Sequence, residues 1–129
     1  MQMPRNASHA WLLIAVVFLV GVVGGAVTMW AQAPKKAYLV GQIDVSNPTQ
    51  YAEYAKFTPA IIEKVGGRFL ARGGRNITVE GRQAPARVVV LEFPSYDTAL
   101  EFYNSAEYQK VKKIREGAAT VQFVIVEGL

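Results

Sequence analysis

Residues 10–31 read AWLLIAVVFLVGVVGGAVTMWA, 22 positions without a charge, and this run divides the chain before any other feature is weighed. About 20 apolar residues span the hydrocarbon core of a bilayer. Arg5 and the amino terminus precede the run, which suits a cytoplasmic start, and Trp11 and Trp30 sit near its ends, where interfacial aromatics are favoured. Two readings compete. The segment is an uncleaved anchor, or it is a cleaved secretory signal, because Ala31-Gln32-Ala33 has the small-x-small form of a cleavage site. The run exceeds the roughly 7–15 apolar residues of a signal core, and Pro34 would follow the cut, so the anchor is favoured. Lys35 and Lys36 weaken the charge asymmetry across the segment. The expectation is a single-pass cell-membrane protein with its domain on the non-cytoplasmic side. The alternative is a periplasmic or secreted domain released by cleavage. Gly21 and Gly25 form a GxxxG strip on which two membrane helices could approach, although glycine is common in such helices anyway.

The chain therefore divides into a membrane segment and linker, 1–36, and a folded part, 37–129. The folded part, about 95 residues, is one small domain whose modest core makes a partner chain plausible. Cysteine is absent, which excludes disulfides, zinc-thiolate sites and thiol nucleophiles. The net charge of +4 is only mildly basic, and no long basic run with interleaved aromatics occurs, so no nucleic-acid partner is expected.

Residues 37–43 (AYLVGQI) have strand character. Asn47 is a good N-cap, Pro48 suits the first helical position and Gln50 can complete a capping-box-like pair. Tyr51, Ala55, Thr58, Ile62 and Val65 recur at helical spacing, Pro59 should kink that helix, and Gly66-Gly67 ends it. A strand is expected over 68–72 (RFLAR), a short extension over 76–80, and the strongest strand over 87–93 (RVVVLEF). Ser95 then caps a helix, and Ser105 caps its continuation after a break near Asn104. Its face is Leu100, Tyr103, Tyr108, Val111, Ile114 and Ala118, and residues 120–127 (TVQFVIVE) form the last strand.

The order is β-α-β-β-α-β, the ferredoxin-like α+β arrangement: a four-stranded antiparallel sheet with two helices on one face. One set of alternate strand residues is apolar or small: Leu39, Gly41, Ile43, Phe69, Ala71, Val89, Leu91, Phe93, Val121, Phe123 and Ile125. This is the face under the helices. The opposite set is largely apolar too, with Val40, Val88, Val90, Val124 and Val126 among Tyr38, Gln42, Arg68, Leu70, Arg72, Glu92 and Gln122. Such a face wants a cover. The cover it predicts is the same face of a second copy, giving a homodimer with packed sheets.

The runs GGRFLARGG (66–74), RVVVLEFPSYDTALEFYNSAEYQKVKKIREG (87–117) and VIVEGL (124–129) resemble the domain of unknown function 1330 family, in order and over about residues 37–129. That family is similar to the dimeric α/β-barrel superfamily. The resemblance implies the same sheet-to-sheet dimer and implies no chemistry. The hydrophobic leader and the stretch ITVEGR (77–82) stand outside the core pattern.

The only histidine is His9, in the N-terminal tail, so the domain has no histidine base, metal ligand or haem ligand. Serine and cysteine triads are excluded by composition, and phosphate-loop glycine patterns are absent. Acidic residues are scattered, so no metal site and no cofactor are expected. The candidate ligand-binding set is Tyr38, Gln42, Arg72, Glu92 and Gln122 on the dimer-facing sheet surface. Glu92 among valines would have a raised pKa and could act as the catalytic acid/base. Arg72 would hold a substrate carboxylate with two hydrogen bonds. The plainer alternative is an Arg72–Glu92 pair with a purely structural role. Arg68, Arg72, Arg75, Arg82 and Arg87 cluster in sequence, either steering an anion or solvated. Tyr103, Tyr108 and Arg115 recur on the second helix, with Tyr108 read as core and Arg115 as a partner contact. Three functions follow: a dimeric module binding a small anionic molecule, a cofactor-free isomerase-like or monooxygenase-like enzyme, or a structural role.

Overall fold

The computed structural model describes residues 31–83 and 87–129. Residues 10–30 of the apolar run, with the Gly21–Gly25 pair, lie outside them, as do residues 84–86. Among the described residues no helix is long and apolar enough to cross a membrane.

The elements are β1 (Ala37–Val45), α1 (Pro48–Lys64), β2 (Arg68–Arg72), β3 (Arg87–Phe93), α2 (Tyr96–Asn104), α3 (Ala106–Lys112), a 3-10 turn (Lys113–Arg115) and β4 (Ala119–Glu127). The sheet order is β2-β3-β1-β4 with every pairing antiparallel. This is the ferredoxin-like α+β fold, with its second helix in two pieces. Each helix starts where a short polar side chain takes a free backbone donor. Asn47 accepts from the Gln50 amide at 3.1 Å, Ser95 from Thr98 at 3.0 Å and Ser105 from Tyr108 at 3.2 Å. Ser105 sits in extended backbone at the end of α2, so the cap that starts α3 is also the break.

The core lies between the helices and the odd-numbered strand residues. Leu39, Ile43, Val89, Leu91 and Phe93 pack against Tyr54, Ile61, Ile62, Ala99, Phe102 and Tyr108. Gly41 belongs to this layer, and a side chain there is excluded: a Cβ would lie 2.5 Å from the Phe123 ring and 2.7 Å from Val89.

The structure departs from the expected pattern on α1 and α2, at residues 76–80 and in β2. On α2 the buried residues are Ala99 and Phe102, while Leu100 is 36% exposed and Tyr103 half-buried, because the break at Ser105 resets the helical phase between the two pieces. On α1 Tyr54 and Ile61 join the buried stripe. Helix α1 continues through Pro59 as one element. Proline leaves the carbonyl four residues earlier without its usual donor; here the Ala55 carbonyl accepts from the Thr58 hydroxyl at 3.2 Å and from Arg72 Nη2 at 3.0 Å. Residues 76–80 form no strand, and Ile77 and Val79 are 84% and 92% exposed.

A bulge in β2 has the largest consequence. Phe69 pairs with Leu91 but Ala71 pairs with Val90, so Leu70 is the extra residue. One inserted residue inverts the facing of everything beyond it. Arg72 consequently pairs with Val89, a core-side position, instead of lying on the outer face.

Candidate functional site

The outer face of the sheet holds four of the five expected site residues. Tyr38 lies opposite Glu92 on one side and Val126 on the other, and Gln42 lies opposite Val88 and Gln122. A valine row, Val90–Val40–Val124, runs between these two polar strips. Glu92 is therefore not isolated among valines: its Oε1 accepts from Lys36 Nζ and from Arg68 Nε, both at 3.0 Å. These hydrogen bonds hold the Glu92 carboxyl below the usual carboxylate range. The expected raised pKa is overturned, since two cations beside the carboxylate favour its charged form. A carboxylate kept ionised by two donors is a poor proton donor at neutral pH.

Arg72 is the fifth residue, and the bulge removes it from this group. Its guanidinium lies over the Phe69 ring, 4.6 Å from the centroid, and completes the carbonyl that Pro59 leaves open. The pair expected between Arg72 and Glu92 is made by Arg68 instead.

A second group of polar residues converges on the other side of the sheet. Helix α1 points Tyr51, Tyr54 and Thr58 inward at steps of three and four, which is one helical face. Tyr108 comes from α3 and Arg115 from the 3-10 turn. Arg87, the first residue of β3, sits opposite Ile43 and so faces inward with it. These side chains line a small cavity of about 30 Å³ together with Phe69, Arg72, Val89 and Phe123; Arg115 stands beside it, over Tyr54. The Tyr54 and Tyr108 hydroxyls are 2.9 Å apart. The Arg115 guanidinium carbon is 5.3 Å from the Tyr54 ring centroid and 5.5 Å from that of Phe123, and Arg87 stands 5.6 Å from the centre of Tyr51.

Local chemistry explains how this cluster is held. Gln50, one turn into α1, donates from Nε2 to the carbonyls of Ile114 and Glu116, each at 2.9 Å, and so clamps the turn that carries Arg115. Gly73, with φ +67°, turns the chain after β2, and a Cβ there would lie 2.5 Å from the Arg87 guanidinium. Glycine is thus required twice at this position, for the left-handed backbone and for the room Arg87 occupies.

The charges in this cluster are unbalanced. Arg115 is 7% exposed and its Nε, like that of Arg87, has no hydrogen-bond partner. The ion pairs among the described residues are Lys36–Glu92, Lys56–Glu53, Lys64–Glu107 and Arg68–Glu92, so neither inner arginine meets a carboxylate. Burial lowers the Arg115 pKa, but the phenol oxygens of Tyr108 and Tyr54 outweigh it and the net shift is upward. Burial raises the pKa of both Tyr51 and Tyr54, so these phenols stay neutral and act as hydrogen-bond donors. The buried Arg115 and the half-buried Arg87 thus stand beside phenols, with no carboxylate partner among the described residues. No three His, Cys, Asp or Glu side chains among the described residues are grouped to hold a metal ion.

The sequence offered signals for this cluster. The alternation that places Val89, Leu91 and Phe93 inward also places Arg87 inward, because 87 shares their parity. Tyr51 and Thr58 lay on the expected face of α1 and Tyr108 on that of the second helix, whereas Arg115, expected to contact a partner chain, is buried within the single chain. No local pattern indicates that they meet.

A family model for a domain of unknown function, DUF1330, matches residues 36–129. Among solved structures, a protein of unknown function from Rhodopseudomonas palustris is 19% identical with a TM-score of 0.58, over 74% of this chain and 83% of that one. SnoaB, a cofactor-independent oxygenase from Streptomyces nogalater, is 10% identical with a TM-score of 0.55, over 74% and 94%. A conserved protein of unknown function from Bacteroides thetaiotaomicron, described as a possible oxidoreductase, is 17% identical with a TM-score of 0.51, over 74% and 100%. At these identities the likeness is one of fold. No curated protein matches the sequence.

Proposed function

The chain belongs to the domain of unknown function 1330 family, and we propose that it works as a homodimeric module that binds a small organic anion inside each subunit, at Arg87 and Arg115. The observation that carries this reading is Arg115, 7% exposed and without a carboxylate partner among the described residues. A bound anion would supply the missing charge. The neutral phenols of Tyr51 and Tyr54, with the Tyr108 hydroxyl bonded to Tyr54, would then orient it.

The dimer in this reading packs outer face on outer face. Its support is the valine row, with Val124 52% and Val126 49% exposed in the single chain. Tyr38, Gln42, Glu92 and Gln122 then line the interface instead of a ligand pocket. The apolar run at 10–31 attaches the domain to the membrane on its non-cytoplasmic side, or is removed on export.

A second reading is a cofactor-free enzyme of isomerase or monooxygenase type. The favouring observation is the same donor set, because guanidinium and phenol groups that hold an anion also stabilise an enolate or phenolate as it forms. Glu92 is not the base in this reading, because it lies on the opposite face of the sheet, bound to Lys36 and Arg68.

Calorimetric titration with acetate and benzoate tests the proposal. Arg115→Met should weaken both by about tenfold or more, the worth of a charge-assisted hydrogen bond. Urea unfolding checks that the variant is folded, since a hydrocarbon of similar length replaces a guanidinium without a carboxylate partner among the described residues. Equal affinity in the variant, or no binding by the parent at millimolar anion, removes the proposal.

A further inference from the structure

The cavity between Tyr54, Tyr108 and Arg87 is about 30 Å³, room for one water-sized group. A whole organic molecule does not fit there. Beside it, on the same side of the sheet, an open groove of about 660 Å³ runs along β4. That volume is typical of small-molecule sites, roughly 300–1,000 Å³. Leu39, Val121, Phe123 and Ile125 form its strand side, and Leu100, Arg115, Lys112, Gln122 and two tyrosines complete the lining.

The groove exists for a structural reason. Helix α2 turns Ala99 and Phe102 into the core and leaves Leu100 and Tyr96 at the rim, 36% and 39% exposed. Strand β4 lies at the edge of the sheet, and its inward residues Val121, Phe123 and Ile125 are only half covered. An apolar trough therefore leads to a buried cation. The lining contains two cations, Arg115 and Lys112, and no acidic residue. Lys112 donates to the Tyr103 hydroxyl at 3.1 Å and sits at the rim.

We infer that this groove seats the hydrocarbon body of the bound anion, so that the ligand is an amphipathic monocarboxylate whose head reaches Arg115 and whose apolar body lies along β4. This rests on the anion-binding reading and narrows it. One buried guanidinium matches one carboxylate, which presents two oxygens to its fork of donors.

The test is calorimetry on the full chain in a neutral maltoside detergent, with acetate, butyrate, hexanoate and octanoate as probes and detergent-only titrations subtracted. Affinity should rise about fourfold per added methylene until the groove is filled. The double variant Leu100→Gln/Ile125→Thr should flatten that rise, weakening octanoate far more than acetate. Arg115→Met should weaken every member of the series about equally. Affinity that stays flat with chain length while Arg115→Met still weakens it overturns the groove and keeps the anion site. Affinity that rises with length but ignores Arg115 overturns the proposed head group and, with it, the anion-binding reading. No binding by any probe overturns both.

Discussion

The two faces of the sheet treat charge in opposite ways. On the outer face one carboxylate, Glu92, receives two cations and remains near solvent, with its side chain 13% exposed between the more open Lys36 and Arg68. On the inner face two guanidinium groups receive no carboxylate among the described residues, and one of them is almost fully buried. The outer face is electrostatically complete but apolar surface is left open across its valine row. The inner face buries most of its apolar surface, leaving the β4 groove half covered, and its two arginines lack a carboxylate among the described residues. Under the proposed reading each face takes a different kind of partner: a second copy of the sheet would cover the outer one, and an anion would balance the inner one.

The largest effect that can break this comparison is at the centre of the valine row. Val40→Asp would place a carboxylate in the middle of a sheet-to-sheet interface, a cost of several kcal/mol for an unpaired buried charge. Sedimentation velocity at micromolar protein should show a dimer for the parent and a monomer for the variant. A monomeric parent would mean that the outer face has no partner of its own kind.

The next effect belongs to the inner face and appears at alkaline pH. Tyr54 has a folded-state pKa raised above the ordinary 10.0, mainly by burial. Its contribution to stability is fully present below pH 10 and is lost as pH rises from there toward the folded value. Each such phenol should lower unfolding free energy by about 1.4 kcal/mol per pH unit in that window. Urea midpoints measured across the alkaline range should fall with this slope, and Tyr54→Phe should flatten it. A parent whose stability is level above pH 10 would show that the phenols are open to water.

The smallest effect is expected at Glu92. Its folded pKa is lowered by the hydrogen bonds from Lys36 and Arg68. Its contribution is therefore present above the unfolded value of 4.5 and is lost as pH falls through the lower folded value. Glu92→Gln should barely change stability at neutral pH, should reduce its dependence on pH in the acid range, and should leave anion binding intact. A loss of binding in Glu92→Gln would move the site back to the outer face.

Much of this fold was legible in the residues, because the signals that specify it act over a few positions. The caps at Asn47, Ser95 and Ser105, the glycine pair that ends α1 and the alternation along β1, β3 and β4 are all short-range features. They suffice for the element order, for the division of the strands into two faces and for the family resemblance. The site was less legible because it depends on meetings far apart in the chain. Tyr54 and Tyr108 are 54 residues apart and Lys36 and Glu92 are 56 apart.

Sequence alone determined that Glu92 sits among valines and that Arg87 shares a face with Val89. Only the tertiary structure decided that Lys36 and Arg68 reach Glu92, which reverses the expected direction of its pKa. The extra residue at Leu70 likewise has no signature in RFLAR, yet it carries Arg72 from the outer face to the open carbonyl of Ala55. The physical reason is the same in both cases. Alternation and capping are set by the backbone's own geometry. Ion-pair partners and strand register are instead chosen by competition among contacts that exist only once the chain has folded.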